Sequence, residues 1–443
     1  MRLRKTITTI VATAILLAGW QLFAVIANQP ELIPSLPRLV RTLCEWLVSG
    51  SFYQSVGATI LRGILGMSIS FVCAIGMAGL FARFEWVYEL FRPLLAIMRS
   101  IPVISFILLA LIFLNPESIP LMIAFLTMFP LLTENLTRGI LDLRPGLSIM
   151  ARQFHIRRSN VLFQIIYPQL KPFLYSGLAS ATGFGWRAII MGEVLSQCAF
   201  GIGSEMKRAQ NFIAVPELLA WTIVAVFISF FFDKGISKVA DITPKISFAN
   251  EDQTIPTPTL SVLDTKDISY QYGIQHFSHS FQKGIIYGIS APSGKGKTTL
   301  LNLIGGILLP TEGEIHPTRH FGIATIFQQP QLLPHLTAEE NIILPLSSFL
   351  TEEKARRIAQ KHLQEMEMEP FGNRYPKELS YGQQQRIAIA RALAYPSPLL
   401  LMDEPFKGLD EALSHRIIER IREMQMKEER IILFTSHNPD EIR

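Results

Sequence analysis

The feature that most restricts how this chain can fold is the stretch Ser290–Leu300, which reads SAPSGKGKTTL. It follows a short apolar run, Ile285–Ile289, and leads into apolar residues that favour the start of a helix. A strand, a glycine loop and a helix in this order can bind phosphate, because loop N–H groups and the positive end of the helix point at the anion. Ala291 stands where the usual G-x-x-x-x-G-K-[ST] pattern has its first glycine. The stretch therefore predicts an α/β domain built around a phosphate-binding loop.

Two side chains of this loop predict the ligands. Lys297 is expected to reach the β- and γ-phosphates of ATP, and Thr298 is expected to offer its hydroxyl to Mg²⁺. The predicted nucleotide contacts in the loop are Ala291, Pro292, Ser293, Gly294, Lys295, Gly296, Lys297, Thr298 and Thr299.

Four apolar runs in this half of the chain predict a parallel sheet. Continuous apolar character suits strands that are buried on both faces, and parallel sheets bind ligands beyond the carboxyl ends of their strands. The runs cover residues 285–289, 323–327, 398–402 and 431–435.

The residues that follow these runs form the predicted catalytic set. Gln328 is expected to touch both metal and water, and Asp403 to hold Mg²⁺. Glu404 is expected to polarise the attacking water. His437 is expected to hydrogen-bond the γ-phosphate and hold Glu404, and Tyr272 to stack on adenine.

The first half of the chain has the composition of a membrane protein. Of the 443 residues, 49% are hydrophobic and 17% are charged. Soluble domains have about 25% charged residues, so this composition argues against a purely soluble protein. Residues 1–245 hold 21 Lys and Arg against 12 Asp and Glu, whereas the remainder holds 20 against 24. Positive charge within an apolar region indicates basic loops beside a lipid membrane, and no nucleic-acid partner is expected.

Six apolar runs predict six transmembrane helices. They cover residues 6–27, 58–82, 93–114, 119–132, 172–195 and 218–232. A cleaved signal peptide is the alternative for the first run, although that run is long for one and no A-x-A site closes it. Basic residues precede the first run, lie between the fourth and fifth, and follow the sixth. The positive-inside rule places these segments, and the downstream phosphate loop, in the cytoplasm.

Two ionisable residues lie within the fifth run. Arg187 and Glu193 either line a substrate path or belong to structural pairs, since charges inside a bilayer usually face a cavity or a partner. Six residues apart on a helix, they face different directions and are not expected to pair with each other.

The stretch Leu379–Arg386, which reads LSYGQQQR, resembles the L-S-G-G-Q signature of ABC ATPases. A helical stretch and then Asp403–Pro405 follow it, as in that family. Ser380 can cap the helix, while Tyr381 replaces a glycine of the pattern. The resemblance covers residues 259–443. It implies that a second subunit completes the ATP site with Ser380, Gly382, Gln383 and Asp410.

A further stretch, residues 149–168, resembles the coupling loop of binding-protein-dependent ABC importer permeases, which carries E-A-A-x-x-x-G and a proline thirteen residues later. Ala151 and Pro168 keep their places in that pattern, whereas Ile149, Met150 and His155 replace the glutamate, an alanine and the glycine. A short helix, a turn and a second helix ending near Pro168 are expected. A charged loop with no docking role is the alternative.

Two further stretches, residues 32–37 and 186–193, resemble permeases for nitrate, sulfonate and taurine. An oxyanion of this kind is the first expectation for the substrate, and a pyrimidine vitamin precursor is the second.

Together these resemblances imply a fused half-transporter in a bacterial cytoplasmic membrane. An all-α permease of six spans occupies residues 1–239, a linker 240–258, and an ABC ATPase with a helical subdomain 259–443. The implied partners are a second copy of the chain, a separate extracytoplasmic solute-binding protein and membrane lipid. An ABC exporter, a membrane ATPase that drives a cell-wall enzyme and a degenerate regulatory nucleotide-binding module are the alternatives. Whether each coupling loop docks on its own ATPase domain or on its neighbour's stays open at this point.

Overall fold

The structure is a computed structural model that describes residues 2–240, 243–253, 260–271, 273–292, 294–317 and 322–436. Its contacts divide the chain into two compact units, residues 1–143 with 170–242 and residues 144–169 with 243–443. Tyr272, Ser293 and His437 lie outside the described residues, so their predicted roles stay predictions.

The first unit is a bundle of helices. In chain order its helices are α1 (Arg2–Ala27), α2 (Leu36–Trp46), α3 (Gly50–Arg83), α4 (Glu85–Ser100), α5 (Val103–Phe113), α6 (Ile119–Leu141), α9 (Tyr167–Ser196), α10 (Ile202–Asn211) and α11 (Val215–Ala240). The short helices α7 (Pro145–Gln153) and α8 (Arg158–Asn160), between α6 and α9, belong to the second unit. Small residues let α3 and α6 approach closely, because a Cβ at Gly66 would lie only 2.6 Å from the Cβ of Ala124. Such contacts replace hydrophobic burial in bundles surrounded by lipid.

The six-span prediction is not confirmed. Among the described residues, three helices are long and apolar enough to cross a membrane, namely α3, α6 and α11, and α4 with α5 makes a fourth if the pair is one bent span. The apolar helix described within α1 is the shorter segment Val11–Ala27.

The predicted span 93–114 is not one straight helix. The axes of α4 and α5 differ by 94°, and the chain turns at Ile101 and Pro102. Proline disfavours helical geometry in the residue before it, and Ile101 is extended with φ −71° and ψ 130°. Apolar residues continue on both sides of Pro102, so the hydropathy of this run predicts one uninterrupted span.

Two sheets form the framework of the second unit. The strands are β1 (Val262–Tyr270), β2 (Ile274–Gln282), β3 (Ile286–Ser290), β4 (Glu312–His316), β5 (Ala324–Ile326), β6 (Leu399–Asp403) and β7 (Ile431–Ser436). The order β3-β7-β6-β5 makes a four-stranded parallel sheet, as the four apolar runs predict. The antiparallel sheet β2-β1-β4 was not predicted, because register shifts in β1 interrupt its alternation of buried and exposed residues.

Helices cover the parallel sheet and form a helical subdomain. They are α12 (Lys297–Ile304), α13 (Ala338–Leu346), α14 (Glu352–Glu365), α15 (Tyr381–Ala394) and α16 (Glu411–Glu428). The middle of α15 is fully buried, with Ile387 and Ile389 at 0% exposure. The start of α15 is therefore held by a packed core.

The predicted coupling loop packs within the second unit. Ala151 and Phe154 are buried in a core shared with β5, α13 and α15. The helix expected to end near Pro168 does not end there, because a π-helical turn at Val161–Ile166 leads directly into α9. Proline is tolerated in the first turn of a helix, where its missing N–H leaves no bond unmade.

Part of the predicted linker also packs in the second unit. The backbone N–H of Ser247 donates to Asn160 Oδ1 over 2.9 Å, and Asn160 Nδ2 donates back to the Ser247 carbonyl over 2.8 Å. The Gln164 amide donates to the Pro244 carbonyl over 3.0 Å. Residues 243–253 thus follow a defined path.

Candidate functional site

The phosphate-binding loop joins β3 to α12 in a conformation that needs glycine. Gly294 and Gly296 have φ values of 80° and 86°, a region that glycine enters without steric cost. A Cβ at Gly296 would also lie 2.9 Å from the Gly273 carbonyl oxygen. Ala291 does not have a positive φ, so its methyl group is compatible with the loop.

The side chains predicted to bind metal meet at the ends of β6 and β7. Thr298 Oγ1, in the first turn of α12, lies 2.9 Å from Asp403 Oδ2. Thr435 Oγ1 donates to Asp403 Oδ1 over 2.8 Å and accepts a bond from the Glu404 N–H over 3.0 Å. A hydroxyl beside a carboxylate is the oxygen donor set that Mg²⁺ prefers when substrate phosphates complete its coordination. The residues present therefore fit this ion.

Thr435 is a site residue that the sequence analysis missed. It is fully buried and holds both Asp403 and the backbone of Glu404. The signal in the sequence is its place as the last residue of the fourth apolar run, directly before the end of the strand.

The predicted general base has partners from two loops. Gln328 Nε2 lies 3.2 Å from Glu404 Oε2, and Lys407 Nζ lies 3.5 Å from the same oxygen. Glu404 has a φ of 47°. A non-glycine residue seldom takes this conformation, and such strain concentrates at functional sites.

Lys297 lies at the same edge of the sheet, at the start of α12. Its side chain is 8% exposed, and Nζ donates to the Ala291 carbonyl over 2.6 Å. The structure thus brings together five predicted residues from three segments: Lys297, Thr298, Gln328, Asp403 and Glu404.

The predicted signature residues shape two helix starts. Ser380 caps α15, because its Oγ accepts from the Gln383 N–H over 3.3 Å while Gln383 Oε1 accepts from the Ser380 N–H over 2.9 Å. Asp410 caps α16 by accepting from the Leu413 N–H over 2.8 Å. Gly382 approaches the turn after β6 so closely that a Cβ would lie 2.7 Å from the Gly408 carbonyl oxygen. Contact of these residues with a partner's nucleotide stays a prediction.

The predicted coupling loop, residues 149–168 and called the coupling segment below, contacts the core of the second unit through Phe154. The guanidinium of Arg391 lies 5.5 Å from the Phe154 ring. The same guanidinium donates to the carbonyls of Gln331 and Pro330 over 2.9 Å each. Complete burial lowers the pKa of Arg391 to about 10. In the sequence, Phe154 stands out as an aromatic residue among charged and polar neighbours.

The remaining predicted coupling residues have modest roles. Ala151 is buried at 3% exposure, and Pro168 lies in the first turn of α9. His155 is exposed and has a φ of 46°, in the left-handed region that suits the glycine expected at this position. The neighbouring Gln153 accepts from the Ile323 N–H over 2.8 Å through its backbone carbonyl.

Glu193 and Arg187 occupy different environments in the first unit. Glu193 is fully buried and accepts from Arg62 Nη1 over 2.7 Å, from Thr59 Oγ1 over 2.9 Å and from the Gly203 N–H over 2.9 Å. This favours the structural interpretation of Glu193. Arg187, by contrast, lines a cavity of about 780 Å³ together with Asp233 and largely apolar residues.

Comparisons with known proteins match the two halves separately. Residues 274–407 match the family described as ABC transporter. Residues 55–233 match the binding-protein-dependent transport system inner membrane component.

Three curated relatives are similar to part of the chain. A thiamine import ATP-binding protein of Yersinia pseudotuberculosis is 36% identical over 41% of this chain and 81% of its own length. An Fe(3+) ions import ATP-binding protein of Rhizobium etli is 36% identical over 38% of this chain and 50% of its own. A spermidine/putrescine import ATP-binding protein of Nitrosomonas europaea is 33% identical over 41% and 54%. The chain thus spans about half the length of the last two.

Proposed function

Because the chain belongs to the ABC transporter family, we propose that it is a fused half-transporter that imports a small solute at the expense of ATP. The observation that carries the proposal is the meeting of Lys297, Thr298, Gln328, Asp403 and Glu404 at one sheet edge. The same chain carries a segment that matches the inner membrane component of binding-protein-dependent systems. ATP hydrolysis and membrane passage would then reside in one polypeptide.

Each residue at this edge has a task in phosphoryl transfer to water. Lys297 holds the β- and γ-phosphates, with help from the N–H groups of the loop. Thr298 and Asp403 would hold Mg²⁺, which neutralises charge on the phosphate oxygens. Glu404 orients and polarises the attacking water, and Gln328 positions both the water and the glutamate.

We propose a homodimer as the active form. Each chain supplies one phosphate-binding loop and one signature segment, and in the family the signature of one subunit completes the ATP site of the other. Two copies would therefore form two sites. In each site Ser380 and the positive end of α15 from one subunit would face the γ-phosphate held by the other.

The coupling segment provides a route from membrane to ATP site. Phe154 packs against Arg391, and Arg391 holds the carbonyls of Pro330 and Gln331, next to Gln328. Movement of the segment would therefore reposition the loop that carries Gln328. These contacts lie within one chain and support docking of each coupling segment on its own ATPase domain.

Import is favoured over export by the match of residues 55–233 to a binding-protein-dependent component. A separate solute-binding protein outside a bacterial cytoplasmic membrane would deliver the solute, and the ATPase domain would lie on the cytoplasmic side. The relatives are named for iron, polyamine and thiamine import, so their names agree on import and differ in cargo.

For the solute we propose an oxyanion of the sulfonate, taurine or nitrate kind. The exposed Arg187 guanidinium lines a largely apolar cavity together with Asp233. It supports a negatively charged cargo, because a cation within a membrane segment usually faces a cavity or an opposite charge. Thiamine import by one relative supports a pyrimidine vitamin precursor as the second candidate.

The test is ATP-dependent uptake into proteoliposomes that contain the full-length chain and a binding protein encoded beside it. We expect wild-type uptake and ATP turnover, and loss of both in Glu404→Gln. ATP turnover without uptake of any candidate would favour a force-transmitting ATPase, and efflux in place of uptake would favour an exporter. Equal ATP turnover in wild type and Glu404→Gln would favour a regulatory module.

A further inference from the structure

Two loops of the ATPase domain meet the side chain of Tyr381 at the start of α15. The phenol of Tyr381 donates to the Gln328 carbonyl over 2.8 Å. One turn further along α15, the buried amide of Gln385 donates to the Pro405 carbonyl over 3.0 Å. The start of α15 is therefore tied both to the loop carrying the catalytic glutamine and to the turn after β6.

The turn after β6 is shaped to receive the tyrosine. Gly408 has a φ of 80°, and a Cβ there would lie 2.9 Å from Cδ1 of the Tyr381 ring. At position 381 this chain departs from the L-S-G-G-Q signature, with a tyrosine in place of a glycine. The ring at position 381 and the glycine at position 408 suit each other, because a side chain at 408 would displace the ring or the turn.

The same turn also contacts the general base. Lys407 Nζ lies 3.5 Å from Glu404 Oε2, and Gln328 Nε2 lies 3.2 Å from that oxygen. A shift of the Tyr381 ring would therefore move two groups that touch the carboxylate, one through the Gln328 backbone and one through the turn at Gly408.

We propose that Tyr381 is a positioning residue that couples the two ATP sites of the dimer. The inference rests on the proposed homodimer, in which Gln328 serves the ATP site of its own subunit and Ser380 serves the site of the partner. The hydrogen bond from Tyr381 links these two residues within one subunit. When ATP at one site fixes the position of Gln328, the hydrogen bond from Tyr381 also fixes the position of the start of α15. Ser380, at the start of α15, serves the other site, so binding at one site affects the other.

The test measures ATP hydrolysis against ATP concentration for the full-length protein in lipid nanodiscs. Tyr381→Phe removes the hydrogen bond and keeps the ring. We expect the Hill coefficient to fall from above 1 in the wild type towards 1. We expect kcat to fall about two- to tenfold, the range that one lost hydrogen bond gives, at an unchanged thermal unfolding midpoint.

A matched control is Tyr53→Phe, because the Tyr53 phenol also donates to a backbone carbonyl, that of Leu47, over 2.9 Å. The control should leave both kinetic parameters at wild-type values. A Tyr381→Phe curve that superimposes on the wild type, or a wild-type Hill coefficient of 1, would overturn the inference. If Lys297→Ala hydrolysed ATP as fast as the wild type, the proposed function itself would fail.

A second variant tests the fit between ring and turn. Gly408→Ala should reduce kcat more in the wild-type background than in Tyr381→Gly, because removing the ring removes the 2.9 Å contact and leaves only backbone strain. Equal losses in the two backgrounds would show that residues 381 and 408 are not coupled, and would count against the inference.

Discussion

Two buried carboxylates of this protein have opposite kinds of partners. Asp403, at the end of β6, contacts the neutral hydroxyls of Thr298 and Thr435. Glu193, in α9, contacts the guanidinium of Arg62, a hydroxyl and a backbone N–H. The first arrangement leaves negative charge for a metal ion, whereas the second neutralises it within the protein. The comparison shows that partner chemistry, more than burial, separates a ligand site from a structural one.

The largest expected effect is on ATP turnover when Asp403 loses its charge. Asp403→Asn should lower kcat by about 100-fold or more, because the metal's stabilisation of phosphate charge contributes several kcal/mol. Stability should change little, since the amide can still meet Thr298 and Thr435. Asp264→Asn in β1 is the control and should retain activity. A loss of folding without a specific loss of turnover would make Asp403 a structural carboxylate like Glu193.

The converse variant is Arg62→Ala, which leaves Glu193 buried without its cation. Removing one partner of a buried pair costs about 3–5 kcal/mol, so the free energy of unfolding of the full-length protein should fall by that amount. Arg38→Ala removes an ion pair between half-exposed and exposed side chains, and should change it by about 1 kcal/mol or less.

A double variant checks the cause of this loss. Arg62→Ala combined with Glu193→Gln should recover part of the stability, because no buried charge remains unpaired. If the double variant were less stable than Arg62→Ala alone, Glu193 would not be the group that Arg62 neutralises.

A smaller effect is expected at the coupling segment. Phe154→Leu keeps an apolar side chain but loses the contact with the Arg391 guanidinium, which is worth about 2 kcal/mol when desolvated. The thermal unfolding midpoint should fall, and uptake per ATP hydrolysed should fall with it. Phe163→Leu, at a half-exposed site in the same segment, should change neither. Normal coupling in Phe154→Leu would argue against this route to Gln328.

The smallest effect is a pH dependence from His362. Burial lowers the pKa of His362, although the neighbouring Glu365 carboxylate acts in the opposite direction. The unfolded chain then binds a proton more readily than the folded one. The contribution of His362 to the free energy of unfolding is therefore fully present above about pH 6.5 and is lost as the pH falls below that value. His362→Gln should flatten this part of the stability curve, whereas exposed His415→Gln should leave it unchanged. A steeper decline in His362→Gln would reverse the sign and contradict the assignment.

The ATP site could be predicted from sequence because its residues follow strands of one parallel sheet. Gln328 and Asp403 directly follow continuous apolar runs, and Lys297 lies in the loop that follows another. The carboxyl ends of such strands meet at one edge of the sheet. The stretch of residues 262–282 was missed because register shifts in β1 remove the alternation that marks a half-buried strand.

The membrane half was harder to predict because its contacts join distant helices. Nothing in the local sequence pairs Glu193 with Arg62, which lies 131 residues earlier. The bend at Pro102 was hidden by apolar residues on both sides. Hydropathy reports whether a segment favours lipid and does not report which polar groups meet inside the bundle.

The most direct test of the whole account mixes two inactive variants. Lys297→Ala removes the phosphate ligand of its own site, and Ser380→Arg blocks the signature that serves the partner's site. The two variants are coexpressed, and mixed dimers are purified through two different tags. Each mixed dimer contains one intact ATP site, with Lys297 from the Ser380→Arg chain and Ser380 from the Lys297→Ala chain. We predict that the mixed dimer hydrolyses ATP well above either parent. A mixed dimer as inactive as its parents would contradict the shared site on which the account depends.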